Sequence, residues 1–300
     1  MDIIKSPYII QLVLRGLAPI FRLMPKTILN LRMYRKSGQW IDWSNPRNLQ
    51  EFALTSYFKA ATNEAKFKTY VDLADKVCVR DFVMKRTGDE TLLTKLYGVW
   101  KRPEDIDFDK LPMPCVIKTN NGCTTNIIVR TREELKPMEI RCKLSQWLKY
   151  PYGELSGQPH YSRIKPMIFA EEFLEQNPGT DDLPYDYKFF CYDGEPHFIL
   201  FYSGRTMNSH VTQDHVYDTS WQLVPGVVRN PKCGIMPKPA QFEKMIDVAR
   251  KLSKGYDFVR VDLYSIGDRV VFGEMTFTPD MVTNFTSEFL KNYYEEHIKK

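Results

Sequence analysis

The dipeptide Asp193-Gly194 does most to limit what this chain can fold into. It separates residues 187–192 from 197–202, two apolar runs rich in aromatic and β-branched side chains. Asp-Gly between such runs is the strongest short-range signal for a β-hairpin. Two more strand–turn–strand patterns follow the same logic. Residues 258–264 and 270–277 flank a turn at Ile266-Gly267-Asp268, and a short β-branched run at 114–118 is joined through a polar loop, 119–126, to 127–130. Residues 167–170 form a further strand running into Glu171-Glu172-Phe173-Leu174. Helical periodicity covers 50–68, 70–85, 133–150 (with Trp147 and Leu148 on its apolar side) and 239–254, the last closed by Gly255 at C′. Residues 40–48 read as a loop and 98–111 as an irregular connection. Hairpins mixed with helices make an α+β chain.

The 300 residues are 43% hydrophobic and 26% charged, enough for a sizeable core and too apolar for a disordered chain. No uncharged apolar run reaches the roughly 18 residues a spanning helix needs, and Arg15 and Arg22 interrupt the front stretch, so it does not read as a secretory signal. The front is nonetheless distinctive. Residues 1–36 carry Lys5, Arg15, Arg22, Lys26, Arg32, Arg35 and Lys36 against Asp2 alone, leaving the body close to neutral. Pro19 and Pro25 are expected to break this segment into short helices. Gln11, Arg15, Arg22 and Lys26 fall on one narrow polar stripe. Two readings stand: a helix packed on the body with its Arg stems snorkelling outward, or peripheral contact of residues 1–36 with an anionic membrane. A nucleic-acid partner is not expected, since positive charge is not spread over a folded face.

Six cysteines, at 78, 115, 123, 142, 191 and 233, include no Cys-x-x-Cys pair and read as reduced thiols. His160, His197, His210, His215 and His297 have no ligand spacing, so no zinc site is expected. The chain lacks a Walker loop, a Gly-x-Gly-x-x-Gly fingerprint and a Gly-x-Ser-x-Gly elbow.

Chemistry concentrates in the last hairpin. Arg260, Asp262 and Tyr264 share one strand face, and Glu274 and Thr276 share a face of the partner strand. A three-residue loop between Ile266 and Val270 sets Asp262 opposite Glu274 and Arg260 opposite Thr276. Two close carboxylates repel unless a cation lies between them. Oxygen ligands of this kind suit Mg²⁺, and a solvated face with an Arg–carboxylate pair accounts for the pattern equally well. Lys118 ends a strand at the mouth of Thr119-Asn-Asn-Gly-Cys-Thr-Thr-Asn126. Such a loop either cradles phosphate or is an ordinary hairpin loop. Glu171 and Glu172 read as an adenine- and ribose-reading connection or as an exposed acidic turn. Asp186 and Lys188 share a strand face and read by default as a surface ion pair.

Taken in order, these pieces resemble the TupA-like (teichuronopeptide-biosynthesis) branch of the ATP-grasp superfamily. The strings that carry the resemblance are Leu73-Ala-Asp-Lys-Val-Cys-Val-Arg80, Leu111-Pro-Met-Pro-Cys-Val-Ile-Lys-Thr-Asn-Asn-Gly122, Ile164-Lys-Pro-Met-Ile-Phe-Ala-Glu-Glu-Phe-Leu174, Asp186-Tyr-Lys-Phe-Phe-Cys-Tyr-Asp-Gly194, Phe258-Val-Arg-Val-Asp-Leu-Tyr264 and Phe272-Gly-Glu-Met-Thr-Phe-Thr-Pro279. The resemblance implies an α+β ATP-grasp fold, two lobes clamping ATP, behind a short helical N-terminal region. It divides the chain into a basic helical region at 1–70, a first lobe at 71–168 and a second lobe with the metal site at 169–300. It implies that Lys76 and Lys118 face the nucleotide phosphates, and that the loop carrying Asn121, Gly122, Thr124 and Thr125 folds over them. Glu171, Glu172 and Phe173 would form the adenine hinge, and Glu175 would hold the ribose. Asp262 and Glu274 would bind Mg²⁺, with Thr276 (or Thr278) at a third position where the superfamily often has Asn. Arg260 would stabilise the transferring phosphoryl group, and Lys188 would point into the cleft.

The implied enzyme is an ADP-forming carboxylate–amine ligase working through an acyl phosphate. Its implied partners are a bacterial surface-polysaccharide precursor, such as one for capsule or O-antigen, free or lipid-linked, and an amino acid or other amine. It is expected in the cytoplasm or at the inner-membrane face. The chain departs from the family pattern in a phosphate loop reading Asn-Gly-Cys-Thr-Thr and in Asp280-Met-Val after Pro279. A sugar or glycan kinase, a glycosyltransferase and a non-catalytic nucleotide-binding protein are the alternatives.

Overall fold

The computed structural model describes residues 8–206, 209, 212–229 and 235–299, with side chains from residue 12 onward. Asp2, Lys5, His210, Cys233 and the Gln11 side chain lie outside what is described. In chain order the elements are α1 (Tyr8–Arg22), α2 (Pro25–Ser37), α3 (Leu49–Ala60), α4 (Glu64–Ala74), α5 (Val79–Thr87), β1 (Leu96–Trp100), β2 (Cys115–Thr119), β3 (Asn126–Val129), α6 (Pro137–Leu148), α7 (Tyr152–Ser156), β4 (Ile168–Glu172), β5 (Asp186–Tyr192), β6 (Glu195–Ser203), β7 (Gln213–Asp218), α8 (Phe242–Ser253), β8 (Phe258–Ile266), β9 (Arg269–Thr276) and α9 (Ser287–His297). Helices and two antiparallel sheets make the α+β architecture expected. Two compact units divide it.

Unit one comprises the described residues of Met1–Arg32 with Lys68–Val79 and Thr94–Phe173. Its sheet has the order β1-β4-β2-β3. Strand alternation turns Cys115 and Ile117 of β2 and Ile168 and Ala170 of β4 toward Ile140 and Leu144 of α6, which form a closed core. Val116 and Lys118, with Phe169 and Glu171 beside them in register, are left on the opposite face. The 98–111 segment, expected to be irregular, instead opens with β1, which pairs with β4. Its five residues are partly exposed and include Gly98, so the sequence alternation is weak.

The front helices also differ from expectation. Pro19 lies inside α1 without breaking it, whereas Pro25 opens α2, where a missing N–H costs nothing. The helix expected over 70–85 stops at Ala74 and restarts at Val79. Asp75 is the reason: its Oδ1 accepts from the Val77 and Cys78 N–H groups at 2.8 and 3.2 Å, capping the new helix.

Unit two comprises Met33–Phe67, Arg80–Leu93 and the described residues from Leu174 onward. Its sheet has the order β7-β6-β5-β8-β9. One face carries Phe189, Val261 and Leu263, buried along with Phe242, Met245 and Leu252 of α8. The other face carries Asp186, Lys188, Arg260, Asp262 and Glu274. The β5–β6 turn uses Asp193 and Gly194, both at positive φ, as the sequence predicts.

The last hairpin reaches its register by a different route from the one expected. Its loop is two residues, Gly267-Asp268, because Ile266 pairs with Arg269. A one-residue shift between Asp262 and Leu263 then restores Asp262 opposite Glu274 and Arg260 opposite Thr276. The extra residue is Gly273, and a bulge here re-aims Glu274. A Cβ on Gly273 would lie 3.0 Å from the Asp262 carbonyl oxygen and 3.1 Å from the Tyr264 ring. Gly273→Ala is therefore expected to cost about 1–3 kcal/mol, read as a lower urea midpoint with an unchanged slope.

Candidate functional site

The predicted site residues fall into two groups, one in each unit. In unit one, Lys118 and Glu171 meet across β2 and β4, with Nζ 2.5 Å from Oε1. The Thr94 hydroxyl also donates to Glu171. Glu171 is buried, so the exposed acidic turn is overturned. Glu172 is held differently: its Oε1 accepts from the Lys95 N–H at 3.0 Å, and its own N–H donates to the Lys95 carbonyl. Phe173 is buried with the Arg130 guanidinium 5.4 Å from its ring centre. Glu175, two residues on and half-buried, belongs to unit two.

The loop from Thr119 to Asn126 is built on a buried anchor. The Asn120 side chain donates to Asp75 Oδ2 at 2.8 Å and to the Lys165 carbonyl at 3.1 Å, and accepts from the Met167 N–H at 2.7 Å. The same Asp75 that ends α4 thus pins the loop. Lys76, next in sequence, donates to the Gly122 carbonyl at 2.5 Å, which brings its ammonium to the loop. Thr125 is buried and accepts from the Thr119 hydroxyl. Thr124 is exposed at φ +59°, a left-handed conformation in a non-glycine residue. Asn121 is buried with Oδ1 lacking any hydrogen-bond partner. Sequence reasoning missed Asp75, Thr94 and Asn120 as site-building residues. An Asp four residues before a new helical run was a signal for the first, whereas Thr94 carried none. Removing the anchor by Asn120→Ala is expected to destabilise by about 1–3 kcal/mol, since it strands buried polar partners. Thermal denaturation reads the loss.

In unit two the charged face of the sheet is tightly paired. Arg260 Nε and Nη2 donate to Asp262 Oδ1 and Oδ2 at 2.6 and 2.7 Å. The same Nη2 reaches Glu274 Oε1 at 2.7 Å and Thr276 Oγ1 at 3.1 Å. Lys188 donates to Asp262 Oδ2 at 2.7 Å and lies 3.5 Å from Asp186, which Arg205 also holds at 2.6 Å. The cation between the two carboxylates is therefore Arg260. Asp186 and Lys188 form a buried pair, not the surface one expected. Thr278 Oγ1 is buried without a partner.

Burial alone would raise the Asp262 carboxyl, but Arg260 and Lys188 outweigh it and hold the pKa below its ordinary value. Burial opposes the Arg260 charge, yet Asp262 and Glu274 raise its pKa further, so it stays protonated. The Asp186 charge, followed by burial, pushes the Tyr264 hydroxyl well up. This face can offer positive charge and carboxylate oxygens to one polyanionic ligand. No cluster of three or more His, Cys, Asp or Glu side chains with metal-binding geometry occurs among the described residues. Cys78, Cys115, Cys123, Cys142 and Cys191 are free thiols.

A protein-family model described as TupA-like ATPgrasp matches residues 56–298. No curated protein matches. Among solved structures, D-alanine–D-alanine ligase from Bacillus anthracis is 14% identical, with TM-score 0.46 over 75% of this chain and 64% of that one. The same enzyme from Helicobacter pylori is 14% identical, with TM-score 0.43 over 84% and 65%. N5-carboxyaminoimidazole synthase from Aspergillus clavatus, in complex with ADP, is 10% identical, with TM-score 0.38 over 69% and 44%. The chain thus spans under two thirds of the length of each of these ligases. The family match runs unbroken across both groups of residues, and on it the chain belongs to the TupA-like ATPgrasp family.

Proposed function

We propose that the protein is an ATP-dependent carboxylate–amine ligase that forms an amide on a bacterial surface-polysaccharide precursor, working in the cytoplasm at the inner-membrane face. The observation that carries the reading is the pair of carboxylates on one sheet face, the buried Asp262 held by Arg260 and Lys188 and the partly exposed Glu274 held by Arg260. Family membership supplies the cosubstrate and the metal cofactor to be fitted, ATP and Mg²⁺. The residues suit both. Lys76, Lys118 and the buried, unpartnered Asn121 Oδ1 gather at the loop expected to meet the phosphates. Asp262, Glu274 and Thr276 offer only hard oxygen donors, the set that Mg²⁺ takes together with phosphate oxygens. When bound, the ion would neutralise phosphate charge as it develops.

In this reading a substrate carboxylate oxygen attacks the terminal phosphorus. A P–O bond forms to give the acyl phosphate, and the bond to ADP breaks. The amine nitrogen then attacks the acyl carbon, a C–N bond forms, the acyl C–O bond to phosphate breaks with its electron pair leaving on phosphate, and the departing phosphate takes up the proton that nitrogen gives up. Arg260, kept charged by its two carboxylate partners, meets the negative charge on the transferring group. Lys188 adds a second cation, and Glu171 and Lys118 position one another.

Hydroxylamine trapping tests the reading. With ATP, Mg²⁺ and a panel of uronic acids and amino acids, hydroxylamine is expected to capture an acyl phosphate as a hydroxamate, with equimolar ADP. ADP with a phosphorylated sugar and no hydroxamate would instead establish a kinase. Turnover of a nucleotide sugar without ATP would establish a glycosyltransferase.

A further inference from the structure

Helix α1 is amphipathic, but it is mounted with its polar side inward. Arg15 donates to the Gln146 carbonyl at 3.3 Å. Arg22 donates to the Ser162 carbonyl at 2.9 Å and lies 3.4 Å from Glu154. Ala18, between them on the same side, is buried. Hydrogen bonds to the body thus consume the stripe that a soluble helix would turn to water. At 100° per residue, Val13, Leu17 and Ile20 lie on the opposite side with Leu12 on its flank, continued past the helix end by Leu23 and Met24. All six are exposed, from 39% at Leu17 to 82% at Leu23. A contiguous aliphatic ridge in water marks a docking surface.

We infer that this ridge inserts into the surface of an anionic lipid bilayer, with α1 lying in the plane of the membrane. Three observations choose a bilayer over a protein. No acidic residue occurs from Tyr8 to Arg32, while Arg22, whose side chain stays half exposed beside Glu154, and Lys26 are exposed cations, which complements anionic headgroups. The ridge is purely aliphatic, whereas protein interfaces are built on Tyr, Trp and hydrogen-bonding anchors. At 15 residues, α1 is about 22 Å long, and no described helix is long and apolar enough to cross a membrane, so the geometry is interfacial. The membrane contact thus falls to the ridge, with the inward arginines acting as its mount. The inference deepens the membrane-face placement proposed above and rests on that placement alone; it uses no ATP and no substrate, so its failure leaves the ligation chemistry standing.

Vesicle co-sedimentation tests it on the full chain. Vesicles of phosphatidylcholine with phosphatidylglycerol are expected to pellet the wild-type protein, and pure phosphatidylcholine vesicles to pellet less. Leu17→Glu/Ile20→Glu/Leu23→Glu is expected to weaken binding by at least about tenfold, since it removes the insertion. Its melting temperature should match the wild type, because all three side chains face water; Leu23→Glu alone, beyond the helix end, gives the same direction if the triple variant folds poorly. Wild-type protein left in the supernatant, or equal binding by the variants, overturns the inference. So does a wild-type dimer on gel filtration that the variants convert to monomer without any vesicle binding, which would assign the ridge to a second copy of the chain.

Discussion

Glu274→Gln is expected to lower Mg²⁺-dependent ADP formation by at least about 100-fold, the scale of removing one electrostatic contact at a transferring group, with the fold intact. Glu274 stands 31% exposed, and Arg260 keeps both of its bonds to Asp262 without it. A partly exposed pair of this kind is worth about 0–1 kcal/mol, so the urea midpoint should barely move. Asp262→Asn behaves differently. Asp262 faces two cations with only 3% of its side chain exposed. Removing its charge strands buried Arg260 and Lys188, at a cost of about 3–5 kcal/mol. The sign of the pH dependence follows. The folded carboxyl titrates below its ordinary value, so its contribution is present above the unfolded pKa and is lost as pH falls through the folded one. The stability gap between wild type and Asp262→Asn should narrow on acidification. Glu274→Gln with normal turnover would remove Glu274 from the site.

Lys118→Ala is expected to weaken Mg-ATP binding by about 10- to 100-fold, equivalent to losing one charge-assisted bond of about 1.5–3 kcal/mol. Lys118 sits at the mouth of the pinned loop with its ammonium on Glu171. In the variant Glu171 keeps Thr94 but loses this cation, so a drop in melting temperature accompanies the loss of affinity. Glu171→Gln releases Lys118 without removing its charge, so it is expected to cost stability and to weaken ATP binding by less than Lys118→Ala does.

Local chemistry made part of this legible. The alternation of residues 258–264 put Arg260 and Asp262 on one face, and counting back through the turn set Asp262 against Glu274. The count was right for a partly wrong reason: it assigned the odd residue to the turn, whereas it is the Gly273 bulge. A bulge leaves no periodic trace, and glycine at an ordinary φ is a weak signal. Pairings distant in sequence were illegible. Glu171 looked like an exposed acid because its partner, Lys118, lies 53 residues away. Asp186 and Lys188 read as a surface pair for the same reason: Asp262 and Arg205 bury them. In α1 the stripe of Arg15 and Arg22 was visible, but its direction was not, since only the folded carbonyls of Gln146 and Ser162 draw it inward.

Calorimetric titration with Mg-ATP, run beside UDP-sugars and with Lys118→Ala as the control, decides whether the site takes ATP or a nucleotide sugar. Saturable ATP binding in the micromolar range, weakened about 10- to 100-fold in the variant, and no heat with UDP-sugars are expected. Silence with ATP and saturation by a nucleotide sugar would contradict the ligase reading.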